Sequence, residues 1–158
     1  LKLAHQIAQH DVKIRYDLII DNPYDTEHTL KETIDLLLKL PKPLRFNLYS
    51  LQYFPDYPLT RKAIQDGHIT PQEASLEHLH QKMARNWAFV PKLFPWNKKQ
   101  MLNNIIWLMV CGRAEDAAVK RAVFSDTLSA GLKLINLNLK ALFWGKIHTL
   151  KRLMQKIS

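Results

Sequence analysis

The chain has one cysteine among its 158 residues, Cys111. That excludes an internal disulfide and any multi-cysteine metal site built by this chain alone. Cys111 follows Ile106, Trp107, Leu108, Met109 and Val110, so it is expected to be a buried structural thiol. Such sparing use of cysteine fits a reducing, cytoplasmic compartment. Long apolar runs are also missing. The longest, residues 105–111, falls far short of the about 20 residues that a membrane-spanning helix needs. The first residues show no charged, apolar and small-residue segments in succession, so a signal peptide is not expected. Leu1 rather than Met stands first, as expected of a processed product or a piece of something longer. There is no internal repeat and no low-complexity segment.

Acids are scarce in the second half. Residues 1–77 carry 11 of the 14 acids and 9 of the 23 Lys and Arg, whereas residues 78–158 carry 3 acids and 14 Lys and Arg. Two regions with different jobs are expected from that asymmetry. A hydrophobic content of 47% is ordinary for a globular protein and supplies a real core. The length suits one domain, or a small domain with an appendage.

In the first region the pattern is α/β. Residues 1–10 read as the end of a helix, with Leu3, Ala4 and Ile7 at helical spacing. Residues 12–20 read as a strand whose last residues, Leu18-Ile19-Ile20, are continuously apolar, as where both faces of a parallel sheet are covered. Asp21-Asn22-Pro23 breaks it. A helix then spans about residues 26–39, capped by Asp25 or Thr26, with Leu30, Ile34, Leu37 and Leu38 facing inward. Pro41-Lys42-Pro43 ends it, and residues 45–51 form a second strand. Strand, helix, strand makes a parallel βαβ unit. An aromatic, proline-rich loop follows, then a short helix stopped by Gly67.

After Thr70-Pro71-Gln72-Glu73, a capped helix start, strands disappear. Residues 72–86, 97–111, 113–124, 126–144 and 146–157 read as helices, with turns near Pro91, Pro95, Gly112 and Gly145. Two strands do not make a stable sheet alone, so the sheet is expected to continue in other sequence or in a partner.

The stretch Tyr16-Asp17-Leu18-Ile19-Ile20-Asp21-Asn22-Pro23, then Asp25-Thr26 and the helix through Thr33, resembles the late-barrel strand motif of radical SAM enzymes. Phe46-Asn47-Leu48-Tyr49-Ser50-Leu51, with Phe54-Pro55, Pro58-Leu59, Ala63, Gly67 and Ile69, is similar to the next strand and its loop. The nearest likeness is to the group with an N-terminal cobalamin-binding domain. In that motif the strand commonly ends in Gly, a variable residue, Pro, Gly, then Glu-Thr; this chain has Asp21, Asn22, Pro23, Tyr24 and Asp25-Thr26. The later loop usually reads Pro-Gly-Thr, where this chain has Pro55-Asp56-Tyr57.

The resemblance covers about residues 1–70 and implies the C-terminal βαβ portion of a partial (β/α) TIM-like barrel. Residues 71–158 would be a basic α-helical extension. It implies that Ile19 lies by the adenine of S-adenosylmethionine, that Ser50, Leu51 and Gln52 offer backbone groups to it, and that Asp21, Asn22 and Pro23 face the substrate. On the residues alone, Ile19 also fits plain core and Asp21-Asn22-Pro23 a plain turn. The family's 4Fe-4S cluster needs three cysteines spaced C-x3-C-x2-C, which this chain lacks. The cluster and the cobalamin domain would lie upstream in the same polypeptide, and no catalytic residue and no metal ligand is assigned here.

Other constellations are weaker. Glu77 and His80, at i and i+3, supply two ligands at most. His28 and His68 have no spaced partner, and Asp17 reads as a strand-edge residue or salt-bridge partner rather than a base. Trp87, Phe89, Phe94 and Trp96 bracket Pro91 and Pro95, with Lys92 between, a mix that suits core packing, stacking on bases or the lining of a substrate pocket. Residues 127–158 hold Lys133, Lys140, Lys146, Lys151, Arg152 and Lys156, with no acid after Asp126, beside a rich set of Leu, Ile and Phe. This basic amphipathic segment suits an anionic membrane surface or nucleic acid, and equally a packed helix with a solvated basic face. A non-catalytic binding module is therefore the rival to the enzyme reading, and a degenerate scaffold is a third.

Overall fold

A computed structural model describes residues 1–10, 12–43, 45–77, 97–125 and 128–154. Among these are six helices and a two-stranded parallel sheet: α1 (Lys2–Ala8), β1 (Tyr16–Ile20), α2 (Glu27–Lys39), β2 (Phe46–Ser50), α3 (Pro58–Gln65), α4 (Lys98–Val110), α5 (Asp116–Phe124) and α6 (Leu128–Met154). The βαβ unit expected from the sequence is present.

Its register pairs Tyr16 with Phe46, Leu18 with Leu48 and Ile20 with Ser50. Successive side chains point to opposite faces, so these six share one face and pack toward the helices. Ile20 is part of the core there, and Leu18, Phe46 and Leu48 lie against it. The strand is shorter than expected: residues 12–15 precede the ladder, which opens where the Tyr16 N–H donates to the Arg45 carbonyl at 2.9 Å.

The start of α2 is fixed by a reciprocal cap. Thr26 Oγ1 accepts from the Thr29 N–H at 3.1 Å, and Thr29 Oγ1 accepts from the Thr26 N–H at 2.9 Å. This satisfies two of the helix's orphan donors. Leu30, Ile34 and Leu37 are buried as expected, and Leu38 is half-buried. Lys98 pairs with Glu27 at 2.7 Å, and α2 packs against α4 and α5.

The helix α4 is the centre of the helical layer. Asn97 caps it by accepting from the Gln100 N–H at 2.8 Å, and Leu102, Asn103, Asn104, Ile105, Ile106, Leu108 and Met109 are buried. Burial nearly all round fits a helix packed between others, and α2, α5, α6 and β2 all contact it. One core joins Ile20, Leu30, Ile34 and Leu37 to Leu102, Ile106, Val119, Leu137 and Ala141. It is continuous across residue 70. The Asn104 amide donates to Asn138 Oδ1 at 2.9 Å inside that core, a polar link between α4 and α6.

Several local expectations are corrected. Cys111 is exposed, because α4 ends at Val110 and Gly112, at φ +64°, turns the chain away from the core. Burial of its surroundings still pushes its thiol pKa up, against the pull of Arg113. The turn expected at Gly145 does not form, and α6 is continuous through it; one glycine inside a helix costs only about 1 kcal/mol, too little to stop a helix of 27 residues. Thr70 and Glu73 form their expected capping box, with the Glu73 carboxylate 2.8 Å from the Thr70 N–H and the Glu73 N–H 3.3 Å from Thr70 Oγ1. The chain nevertheless makes a turn, not a helix, over residues 71–74. Residues 78–86 of the helix expected there, His80, and the aromatic segment around Trp87, Phe89, Phe94 and Trp96 lie outside the described residues.

Candidate functional site

In parallel sheets, ligands bind outside the carboxyl ends of the strands. Here those ends run into residues 21–26 after β1 and residues 51–57 after β2. The two loops, the end of α3 and Lys99 of α4 converge there.

At the exit of β1, Asp21 takes a left-handed backbone, φ 66°. Asn22 Oδ1 accepts from the Tyr24 N–H at 3.2 Å, and the Asn22 carbonyl accepts from the Asp25 N–H at 3.1 Å. The result is a tight turn around Pro23. Lys99 Nζ donates to the Pro23 carbonyl at 2.9 Å, so the helical layer holds the loop. Burial raises the pKa of Asp25, with Lys99 and the hydrogen bond from the backbone opposing it and Asp21 adding to it.

At the exit of β2, the Leu51 N–H donates to the Ile20 carbonyl at 3.0 Å, and the Gln52 amide donates to the Ser50 carbonyl at 3.0 Å. Thr60 Oγ1 donates to the Phe54 carbonyl at 2.6 Å. Asp56 is left-handed too, φ 65°, and its carbonyl accepts from Arg61 at 2.8 and 3.1 Å. Tyr53 places its hydroxyl where it is buried without a hydrogen-bond partner. Burial, then Tyr24 and Asp21, push its pKa up to about 12.

A polar cluster ties the first loop to α3. The Tyr24 hydroxyl donates to Asp66 Oδ2 at 2.8 Å, Lys62 Nζ reaches the same oxygen at 2.7 Å, and His68 meets the Tyr24 ring edge-on at 4.8 Å. Burial, then the bond to Asp66, push Tyr24 up to about 12. Lys62 and then Tyr24 hold Asp66 below the ordinary carboxylate range.

The proposed adenine contact, Ile19, is 61% exposed. It stands on the sheet face away from the helices, beside its register partner Tyr49 and near Asp17 and Asn47, whose side chains join at 2.7 Å. This corrects the reading of Ile19 as plain core. Ser50, Leu51, Gln52, Asn22 and Pro23 are half-buried, and the structure brings them and Asp21 to the same end of the sheet.

Sequence reasoning missed Tyr24, Tyr53, Asp66, Lys62 and Lys99. Tyr24 and Asp66 are far apart in the chain, and no local spacing joins them. His28, expected to lack a partner, faces Glu32 at 3.4 Å on an exposed helix turn. Among the described residues no group of three His, Cys, Asp or Glu side chains is gathered as a metal site, and no helix is long and apolar enough to cross a membrane. Comparison with protein-family models, with curated proteins and with solved structures finds no match.

Proposed function

We propose that residues 1–70 are the late-barrel portion of a radical SAM enzyme of the cobalamin-binding-domain group, the C-terminal βαβ part of a partial (β/α) TIM-like barrel, with residues 71–158 as its α-helical extension. One observation carries this reading. Asp21 and Asp56 are the non-glycine residues with positive φ among the described ones, and they occupy two positions where the motif has glycine. At these two positions the glycine is replaced but the backbone shape that favours it is kept, by a residue type that tolerates it; Tyr24, at the motif's remaining glycine position, does not have a positive φ.

The bare sheet face supports the same reading. Among the described residues the sheet has two strands and leaves Ile19 exposed on the face away from the core, which is little for a sheet to stand on; further strands would enclose that face. In the parent polypeptide an upstream cysteine triplet would hold the 4Fe-4S cluster. Bound there, S-adenosylmethionine would supply a 5′-deoxyadenosyl radical, and cobalamin would carry a methyl group.

The residues described here bind and position. Ile19 offers an apolar wall to the adenine. The Leu51 N–H already donates to the Ile20 carbonyl, so the donor to the adenine falls to the Gln52 N–H, while the Leu51 carbonyl and the second lone pair of the Ser50 carbonyl, which takes one bond from Gln52, remain as acceptors. Asp21, Asn22 and Pro23 form the rim on the substrate side, held by Lys99. The expected compartment is the cytoplasm.

Binding of S-adenosylmethionine to the whole polypeptide, measured by calorimetry, tests the proposal. Covering an isoleucine side chain is worth about 1.5–3 kcal/mol, so Ile19→Asp is expected to weaken binding by about tenfold or more. Ile19 lies outside the described core, and circular dichroism of the same sample checks that the fold is kept. Unchanged affinity in Ile19→Asp would remove the adenine contact from the account.

A further inference from the structure

The helix α6 buries one face and leaves a second apolar face bare. Ala130, Leu137, Asn138, Ala141 and Leu142 are buried where α6 packs on α4 and α5. On another side Leu132, Ile135, Leu139 and Phe143 are 63%, 43%, 52% and 65% exposed. At 3.6 residues per turn these four fall within an arc of about 80°, and Lys133 and Lys140 flank its edge about 60–80° further round. Both lysines are exposed. Trp144, 39% exposed, lies beyond them with the Arg113 guanidinium 4.6 Å from its ring centroid.

We propose that this face of α6 docks, lying flat, on an anionic membrane surface. The occupant has to accept an apolar stripe and positive charge together. Between residues 128 and 154 the chain has five Lys and Arg and no acid. A second copy of the helix would set lysine against lysine with nothing in that segment to neutralise them. Nucleic acid would satisfy the lysines but not Leu132, Ile135 and Leu139, which neither stack on bases nor bond to phosphate. An acyl–headgroup boundary takes both, with the stripe sunk among the chains and the cations at the lipid phosphates. The Trp144 ring and its cation suit the headgroup level. Since no described helix is long and apolar enough to span a bilayer, α6 rests on the surface. The proposal is independent of the barrel reading and stands or falls separately from it.

Vesicle co-sedimentation of the intact polypeptide tests it. Phosphatidylcholine vesicles with about 30% phosphatidylglycerol should retain the protein at least about tenfold better than phosphatidylcholine alone, and the difference should shrink in high salt. Lys133→Gln/Lys140→Gln and Leu139→Ser/Phe143→Ser should each lower retention by about tenfold with helix content unchanged, since all four side chains are exposed. The emission of Phe143→Trp less that of the parent, which removes the contribution of the four native tryptophans, should shift to the blue when anionic vesicles are added, a signal that does not depend on removing any apolar group. Equal retention on both vesicles, absence of retention, or no shift from Phe143→Trp would overturn the proposal. So would RNA binding that vesicles do not displace, or a dimer that Leu139→Ser/Phe143→Ser dissolves.

Discussion

Replacing Asp56 reads the backbone demand of the second loop almost in isolation. Its φ is 65°, its side chain is exposed, and its two bonds to Arg61 come from the backbone carbonyl. A residue with a Cβ costs about 1–2 kcal/mol in the left-handed region, with aspartate near the low end and β-branched residues beyond it. Glycine removes that cost but is more flexible when unfolded, by about 0.5–1 kcal/mol. The two effects nearly cancel, so Asp56→Gly should melt within about 2 °C of the parent. Asp56→Val should lose about 1–2 kcal/mol, which lowers the Tm of a chain this size by about 2–8 °C. Thermal unfolding followed by circular dichroism compares the three proteins directly. A valine variant as stable as the parent, with the glycine variant several degrees lower, would refute the glycine-like role of this position. Asp21, at φ 66°, is tied into further interactions, so Asp56 is the cleaner site.

Three other outcomes follow from the packing and the charges. Asn138→Ala leaves the buried Asn104 amide without its 2.9 Å acceptor and should cost about 1–3 kcal/mol in urea unfolding, whereas Asn104→Leu/Asn138→Leu should recover much of the loss. Ile105→Ala, at a fully buried position of α4, should cost about 2–5 kcal/mol and weaken the βαβ unit and helices together. Lys62 and Tyr24 lower the pKa of Asp66, so the folded state favours its anion. The stabilisation is present above its ordinary pKa of about 4 and disappears as the pH falls through the lower folded value. NMR of the Tyr24 ring should show an opening transition in that acid range that Asp66→Asn removes; an identical transition in the variant would show that Asp66 does not hold the loop.

What was legible in the sequence was local and periodic. The apolar run before Asp21, the 3.6-residue spacing of Leu30, Ile34 and Leu37, and the stop at Gly67 each depend on neighbours in the chain, and each element formed. A boundary is misplaced where a local cost is small: the single glycine at 145 does not break α6. Cys111 failed for the opposite reason, since the helix carrying the apolar run ended one residue before it. The candidate site was half legible. Asp21, Asn22 and the end of β2 announce themselves by turn chemistry and resemblance. Tyr24 with Asp66, and Lys99 with the Pro23 carbonyl, are long-range meetings that exist only once α3 and α4 are placed. The exposure of Ile19 was also hidden, because an apolar strand end reads the same whether one face or two are covered.

The central claim is that these residues complete an S-adenosylmethionine site. Incubating the whole polypeptide, with its cluster reconstituted under anaerobic reducing conditions, and measuring 5′-deoxyadenosine tests it most directly. 5′-Deoxyadenosine should form, reduced by about tenfold or more at limiting S-adenosylmethionine in Ile19→Asp. A polypeptide with no C-x3-C-x2-C upstream of Leu1, or one that carries an intact cluster and yields no 5′-deoxyadenosine, would contradict it.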